Sequence, residues 1–288
     1  MTRALNLAMI LSAPLSLLFA AFVISRTVDM GGGQDYVIRF DLPGADMPVD
    51  LPRVDGPADA SMPLVVIDAG HGGFDPGAGT GSVREKDVAL AIATAIRNRL
   101  LDGGGVRVAM TRDTDRFIAL ADRPDIARRL NADLFLSVHA DSAESDSARG
   151  ASVYVLSEKG SSEAAERFAA RGNGGGTING VSLSRTSASV GAILLDLSQR
   201  GAQAGSTELA DLMLRELRAE GIGLHHEKAE AAALAVLKAP DIPSILFETG
   251  YINNPGDYAV LRSEKGQKAL AEASARAIRA YFARRSGV

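Results

Sequence analysis

The chain has 288 residues, 46% of them hydrophobic and 23% charged, with a net charge of −4 and no cysteine. That length suits one large α/β domain or two small ones, and the slightly acidic balance offers nucleic acid no basic footprint. Without cysteine there is no disulfide framework, no thiolate nucleophile and no thiolate metal site, so any metal must be held by carboxylates and by the four His.

Taken in chain order, Arg3 is followed by an uncharged run from Ala4 to Ile24. A basic start before an apolar stretch reads as an export signal. The run is also near the length that spans a bilayer, so residues 1–25 are either a signal peptide or an N-terminal anchor. Both readings place the rest of the chain outside the cytoplasm. Residues 26–62 have the Gly, Pro and Asp content of a linker, with one short strand expected at Tyr36–Phe40.

A folded domain is expected over residues 63–288. Apolar runs predict strands at Leu64–Asp68, Val106–Met110, Asp133–Val138, Ala151–Leu156, Leu234–Leu237 and Ser244–Glu248. Helical spacing predicts helices at Glu85–Leu101, Leu120–Leu130 and Glu264–Phe282. Strands alternating with helices point to an α/β fold, a single domain whose mostly parallel central sheet is covered on both faces. Residues 157–205 break the rhythm with a helix at Ser161–Arg171, a glycine run and an amphipathic segment at Ser189–Gln199. A connection that long reads as a lid or regulatory insertion.

The chemistry gathers at strand ends. The segment VVIDAGHGGFDPGAG runs an apolar strand into His71 within a glycine-rich loop, and LFLSVHAD ends a second buried strand at His139. Ligand sites of open α/β sheets lie beyond the carboxyl ends of strands, so the two imidazoles can face one point. A phosphate-cradling loop is the alternative for the glycines, but neither common phosphate-loop pattern fits. A catalytic zinc needs a third protein ligand and an open position. Glu85, in the first turn of the next helix, is suitably placed, although spacing does not separate it from Asp87. First-turn acids are also favoured by the helix dipole alone. In SILFETGYINN, Glu248 follows a third apolar strand, where an isolated charge is costly unless paired or facing a metal. Beside a zinc it suits a general base and then a general acid. Asp68, Asp75 and Asp141 lie where they could orient the imidazoles. The adjacent His225 and His226 read as surface or groove residues.

Together DAGHGGFDPGA, REKDVAL, SVHAD and AVLKAPDIPSILFETGYINN closely resemble the zinc-dependent type 3 class of bacterial N-acetylmuramoyl-L-alanine amidases, over about residues 63–285. The resemblance implies one Zn2+ held by His71, Glu85 and His139, with Glu248 as the catalytic residue. It selects Glu85 over Asp87. It also implies periplasmic cleavage of the amide between N-acetylmuramic acid and L-alanine in peptidoglycan, a step in daughter-cell separation. The 157–205 segment is similar to the insertion of division-associated members, which implies a helical cover over the zinc that a LytM-like activator removes. Where such members place a Glu before an Asn, this chain has Arg171-Gly172-Asn173, leaving Glu163 and Glu166 as substitutes. Weaker autoinhibition is therefore expected, with only a modest gain on deleting residues 161–205. Residues 26–62 are too short for the wall-binding domain of many relatives.

Two other readings stand beside this one. A zinc carboxypeptidase would recognise a free carboxylate through Arg84, Arg112 or Arg123. A catalytically silent wall-binding activator would be expected to have lost at least one of the four site residues. Nothing resembling a heptad seam suggests an obligate oligomer, so a monomer is expected, with peptidoglycan and no nucleic acid as partner.

Overall fold

The computed structural model describes residues 50–79, 83–143, 145, 147–171, 177–178, 181–182 and 186–286. The Ala4–Ile24 run, the strand expected at Tyr36–Phe40 and Gly172 lie outside these. No described helix is long and apolar enough to cross a membrane.

Seven strands form one sheet: β1 (Val54–Asp55), β2 (Leu64–Ala69), β3 (Arg107–Met110), β4 (Leu134–Asp141), β5 (Ser152–Leu156), β8 (Glu230–Ala232) and β9 (Ser244–Tyr251). Their spatial order is β1-β3-β2-β4-β9-β5-β8. The centre, β3-β2-β4-β9, is parallel. The pairs β1–β3 and β5–β9 are antiparallel, and β8 runs parallel to β5. A two-strand ribbon, β6 (Thr177–Ile178) with β7 (Val181–Ser182), stands apart.

Every residue of β2 is buried, as a strand covered on both faces requires. Successive side chains take opposite faces. Leu64 and Val66 join a core with Phe135 and Leu246, while Val65 and Ile67 join a second core on the other face. That second core is closed by α1 (Glu85–Gly103), α4 (Ala188–Ala219) and α6 (Glu264–Arg285). The first is covered by α2 (Asp122–Arg129), α3 (Glu158–Arg171) and a 3-10 turn at Ala235–Leu237. A short α5 (Pro255–Leu261), capped by the Asn254 side chain, precedes α6.

Three expectations change. The Leu234–Leu237 run is not a strand; Val236 and Leu237 are buried in the 3-10 turn, and the sheet edge is already taken by Glu230–Ala232. Short apolar runs carry too little periodicity to separate these outcomes. The segment before Pro63 is not all linker, because Val54 and Asp55 pair with Ala109 and Val108. The amphipathic segment at Ser189–Gln199 is the start of a helix of 32 residues whose far half, including Leu209, Met213 and Leu217, lies in the core. Gly205 does not break this helix. A Cβ there would meet Pro243 Cγ and Tyr281 Oη at 2.8 Å, so the glycine permits a close helix crossing. Deleting residues 161–205 would cut through this helix and remove the buried Leu195 and Ala202, so it does not excise a detachable insertion.

Candidate metal centre

The chain leaves β2 for α1 and β3 on one side, then returns to β4 on the other, so the strand order switches between β2 and β4. Ligands of such sheets bind at this switch point, beyond the carboxyl ends of the strands. His71 lies just past the end of β2, with φ of 59°, and His139 lies in β4. Their rings meet edge to face with centroids 5.0 Å apart. Glu85 reaches between them from the first turn of α1. Its Oε2 lies 3.1 Å from His71 Nε2 and its Oε1 lies 2.8 Å from His139 Nδ1. One ligand atom from each of the three residues falls within 4.8 Å of the others.

Backbone groups aim this carboxylate. Ala78 N–H donates to Oε2 at 2.8 Å and Ala140 N–H to Oε1 at 3.2 Å. Gly77, at φ of 67°, lets the loop fold against the pair, since a Cβ there would lie 2.6 Å from Glu85 Oε2 and 2.7 Å from His71 Cδ2. Asp87 points elsewhere. It is exposed and accepts from Arg84 Nε at 2.9 Å. The geometry thus separates the two first-turn acids that spacing could not.

Asp75 orients His71, with its Oδ2 2.8 Å from Nδ1. A carboxylate accepts, so Nδ1 carries a proton; Nε2 also faces a carboxylate, that of Glu85, and is the nitrogen that would give up its proton when a metal binds. Asp68 and Asp141 do not share this role. Asp68 is fully buried and accepts from Thr111 Oγ1 at 2.6 Å, Ser137 Oγ at 2.8 Å and Arg123 Nη1 at 2.9 Å. Asp141 accepts from the Ser142 N–H.

The sequence did not reveal what braces the His71 loop. Arg112 is fully buried and donates to the carbonyls of Ala69, Gly70 and Lys86. Arg123 donates to the carbonyls of Ala69, His71 and Ile118. Lys86 Nζ donates to Gly73 O at 2.6 Å and Asp115 Oδ2 at 2.7 Å. These contacts span long stretches of chain, and no local spacing signals them.

Glu248 stands beside His139 in register, and Ser152 of β5 stands on its other side. It is half-buried, and its Oε2 is buried without a hydrogen-bond partner. Burial, with the negative charges of Glu85 and Asp141, pushes its carboxyl well above the ordinary range. Glu85 goes the other way. Burial opposes its ionisation, but hydrogen bonds from His139 and His71 outweigh that and hold the carboxyl far down. Burial also disfavours a charged His71, yet Glu85 and Asp75 raise its affinity for a proton. The electrostatics of the trio favour a cation at its centre. Two imidazole nitrogens and a carboxylate oxygen match a catalytic zinc donor set, with Asp75 holding Nδ1 of His71.

Elsewhere, His225 is exposed and its ring lies 5.1 Å from that of Tyr251, outside the trio. Glu163, one of the two expected caps, is bound to Lys238 Nζ at 2.5 Å.

A family model described as N-acetylmuramoyl-L-alanine amidase matches residues 65–280, a span that includes all four site residues. The chain belongs to the N-acetylmuramoyl-L-alanine amidase family. It is 37% identical over 221 residues to the amidase AmiA of Escherichia coli K12, covering 76% of each chain. It is 39% identical over 222 residues to AmiC of Neisseria meningitidis, covering 76% of this chain and 53% of that one. The amidase-family chain thus spans about half the length of the AmiC relatives it matches. Among solved structures, it is similar to AmiC2 of Nostoc punctiforme, with a TM-score of 0.54, 31% identity, and coverage of 76% of this chain and 97% of that one.

Proposed function

We propose that this chain is a peptidoglycan hydrolase that cleaves the amide between the lactyl group of N-acetylmuramic acid and the L-alanine of the stem peptide, using one zinc held by His71, Glu85 and His139. The observation that carries this reading is the trio itself, with the unpartnered Glu248 Oε2 on the neighbouring strand. A zinc ion at the trio would supply Lewis acidity, polarising the scissile carbonyl and activating water. Metal ligation by Glu85 removes one of the charges that raise the Glu248 carboxyl. Glu248 is then suited to take the proton of the attacking water and return it to the leaving amine. This cleavage separates stem peptides from the glycan, as parting daughter cells require.

The carboxypeptidase alternative loses support because Arg112 and Arg123 are occupied by backbone carbonyls and Asp68, and Arg84 pairs with Asp87. The enzyme would act in the periplasm, after export through the 4–24 segment. A LytM-like activator is proposed to engage the insertion. Val190, Ile193 and Leu197 support this by forming an apolar stripe on α4 that is 46%, 59% and 60% exposed.

The test is purified protein loaded with zinc and incubated with muropeptides. Intact stem peptides should be released, and Glu248→Gln should lose about 10²–10⁴-fold in rate while retaining zinc. Zinc loss in that variant would overturn the role given to Glu248.

A further inference from the structure

We propose that Phe74 and Phe117 form a stacking platform for the pyranose ring next to the scissile bond. This inference rests on the amidase reading and adds where the glycan lies.

Phe74 is three residues beyond His71, in the turn Gly72–Asp75. Reciprocal backbone bonds close that turn, Gly72 N–H to Asp75 O at 3.0 Å and Asp75 N–H to Gly72 O at 3.2 Å. The Asp75 side chain at its base holds His71. Phe74 is nevertheless 46% exposed, and its ring stacks on Phe117 with centroids 4.1 Å apart and planes 26° from parallel. The second ring is tied to the same frame. Gly73 N–H donates to Asp115 Oδ1 at 2.8 Å, and Lys86, adjacent to Glu85, links Gly73 O to Asp115 Oδ2. Both rings are therefore registered to the trio through short hydrogen-bonded connections.

An exposed aromatic in a loop this well braced contributes little to the core. Its chemistry selects an occupant. One face of a pyranose presents C–H bonds, which are attracted to the negative face of an aromatic ring, and a preorganised ring loses little entropy on binding. The stem peptide beyond L-alanine is polar and charged and gains little from such a surface. The sugar is joined to the scissile carbonyl by a single lactyl ether, so a trio that binds the amide holds the pyranose within a few bonds of His71. Among the described residues of the ligand loop, Phe74 is the exposed large apolar side chain.

Two substrates with the same scissile amide test this: a disaccharide peptide, and a D-lactoyl peptide that lacks the pyranose. Phe74→Ala should lower kcat/KM for the disaccharide peptide about tenfold, mainly through KM, with the D-lactoyl peptide changed less than twofold. Phe74→Tyr should restore the wild-type ratio. Added disaccharide should show upfield ring-current shifts of its pyranose protons with the wild type and none with Phe74→Ala. Equal losses on both substrates, or wild-type shifts in Phe74→Ala, would overturn the platform. Failure of the amidase reading would look different, because the wild type would then cleave neither substrate, and the platform would fall with it.

Discussion

At the ends of β2 and β4 the polar groups are engaged several times over. Asp68 accepts three side-chain bonds, Arg112 and Arg123 hold the backbone of the His71 loop, and Asp75 fixes the His71 ring. At β9 and β5, the next two strands of the sheet, Glu248 and Ser152 are register partners, yet Glu248 Oε2 and Ser152 Oγ are both buried and unpartnered. The ligand half is a preformed template whose side chains have one place to go. The Glu248 half carries uncompensated desolvation, about 1–3 kcal/mol for each neutral buried group. That cost makes Glu248 a strong proton acceptor whenever it is ionised. Breaks in polar satisfaction tend to mark functional sites.

The contrast can be broken at its strongest point. Asp68→Asn leaves Arg123 buried without its counter-charge and should cost about 3–5 kcal/mol, read from the urea midpoint. A loss below about 1 kcal/mol would mean the template is not braced as described. Burial raises the Asp68 carboxyl, but Arg123, Thr111 and Ser137 outweigh it and hold the group below its ordinary value. Its stabilisation is then fully present above the unfolded-state value of about 3.9. It is lost as pH falls toward the lower native value. Urea midpoints between neutral pH and pH ~3 should drop more steeply for the wild type than for Asp68→Asn.

A smaller effect is expected closer to the proposed zinc. Asp75→Ala should keep the fold but weaken zinc binding about 10–100-fold, measured by competition with a chelator. Unchanged affinity would show that Asp75 does not set the His71 tautomer. On the Glu248 side, Ser152→Ala removes a buried unsatisfied hydroxyl. Stability should change by less than about 0.5 kcal/mol or rise slightly. A clear destabilisation would show that Ser152 has a partner and would erase half of the comparison.

Much of the site was legible in the chain because its signals are local. A buried strand announces itself as an apolar run, and a His or Glu at its end must then lie at the sheet's carboxyl edge. That reasoning put His71, His139 and Glu248 toward the carboxyl edge of the sheet, although β4 continues past His139 to Asp141 and β9 past Glu248 to Tyr251, and the resemblance supplied the choice of Glu85. The helices at Glu85–Gly103 and Glu264–Arg285 were equally readable from periodicity. The segment at Leu234–Leu237 was not, because four apolar residues fit a strand or a turn alike.

The sequence by itself determined the alternation of the central strands and main helices and which residue types lie toward the carboxyl edge of the sheet, since both follow from periodicity along a few residues. Only the tertiary structure separated Glu85 from Asp87 on physical grounds, by turning one inward to two imidazoles and the other outward to Arg84. It also decided that α4 runs unbroken from the insertion into the core, where Gly205 slides beneath Pro243 and Tyr281. Two of the three arginines offered to a substrate carboxylate, Arg112 and Arg123, proved to hold the loop instead, because their partners are carbonyls brought close by folding and invisible to local spacing.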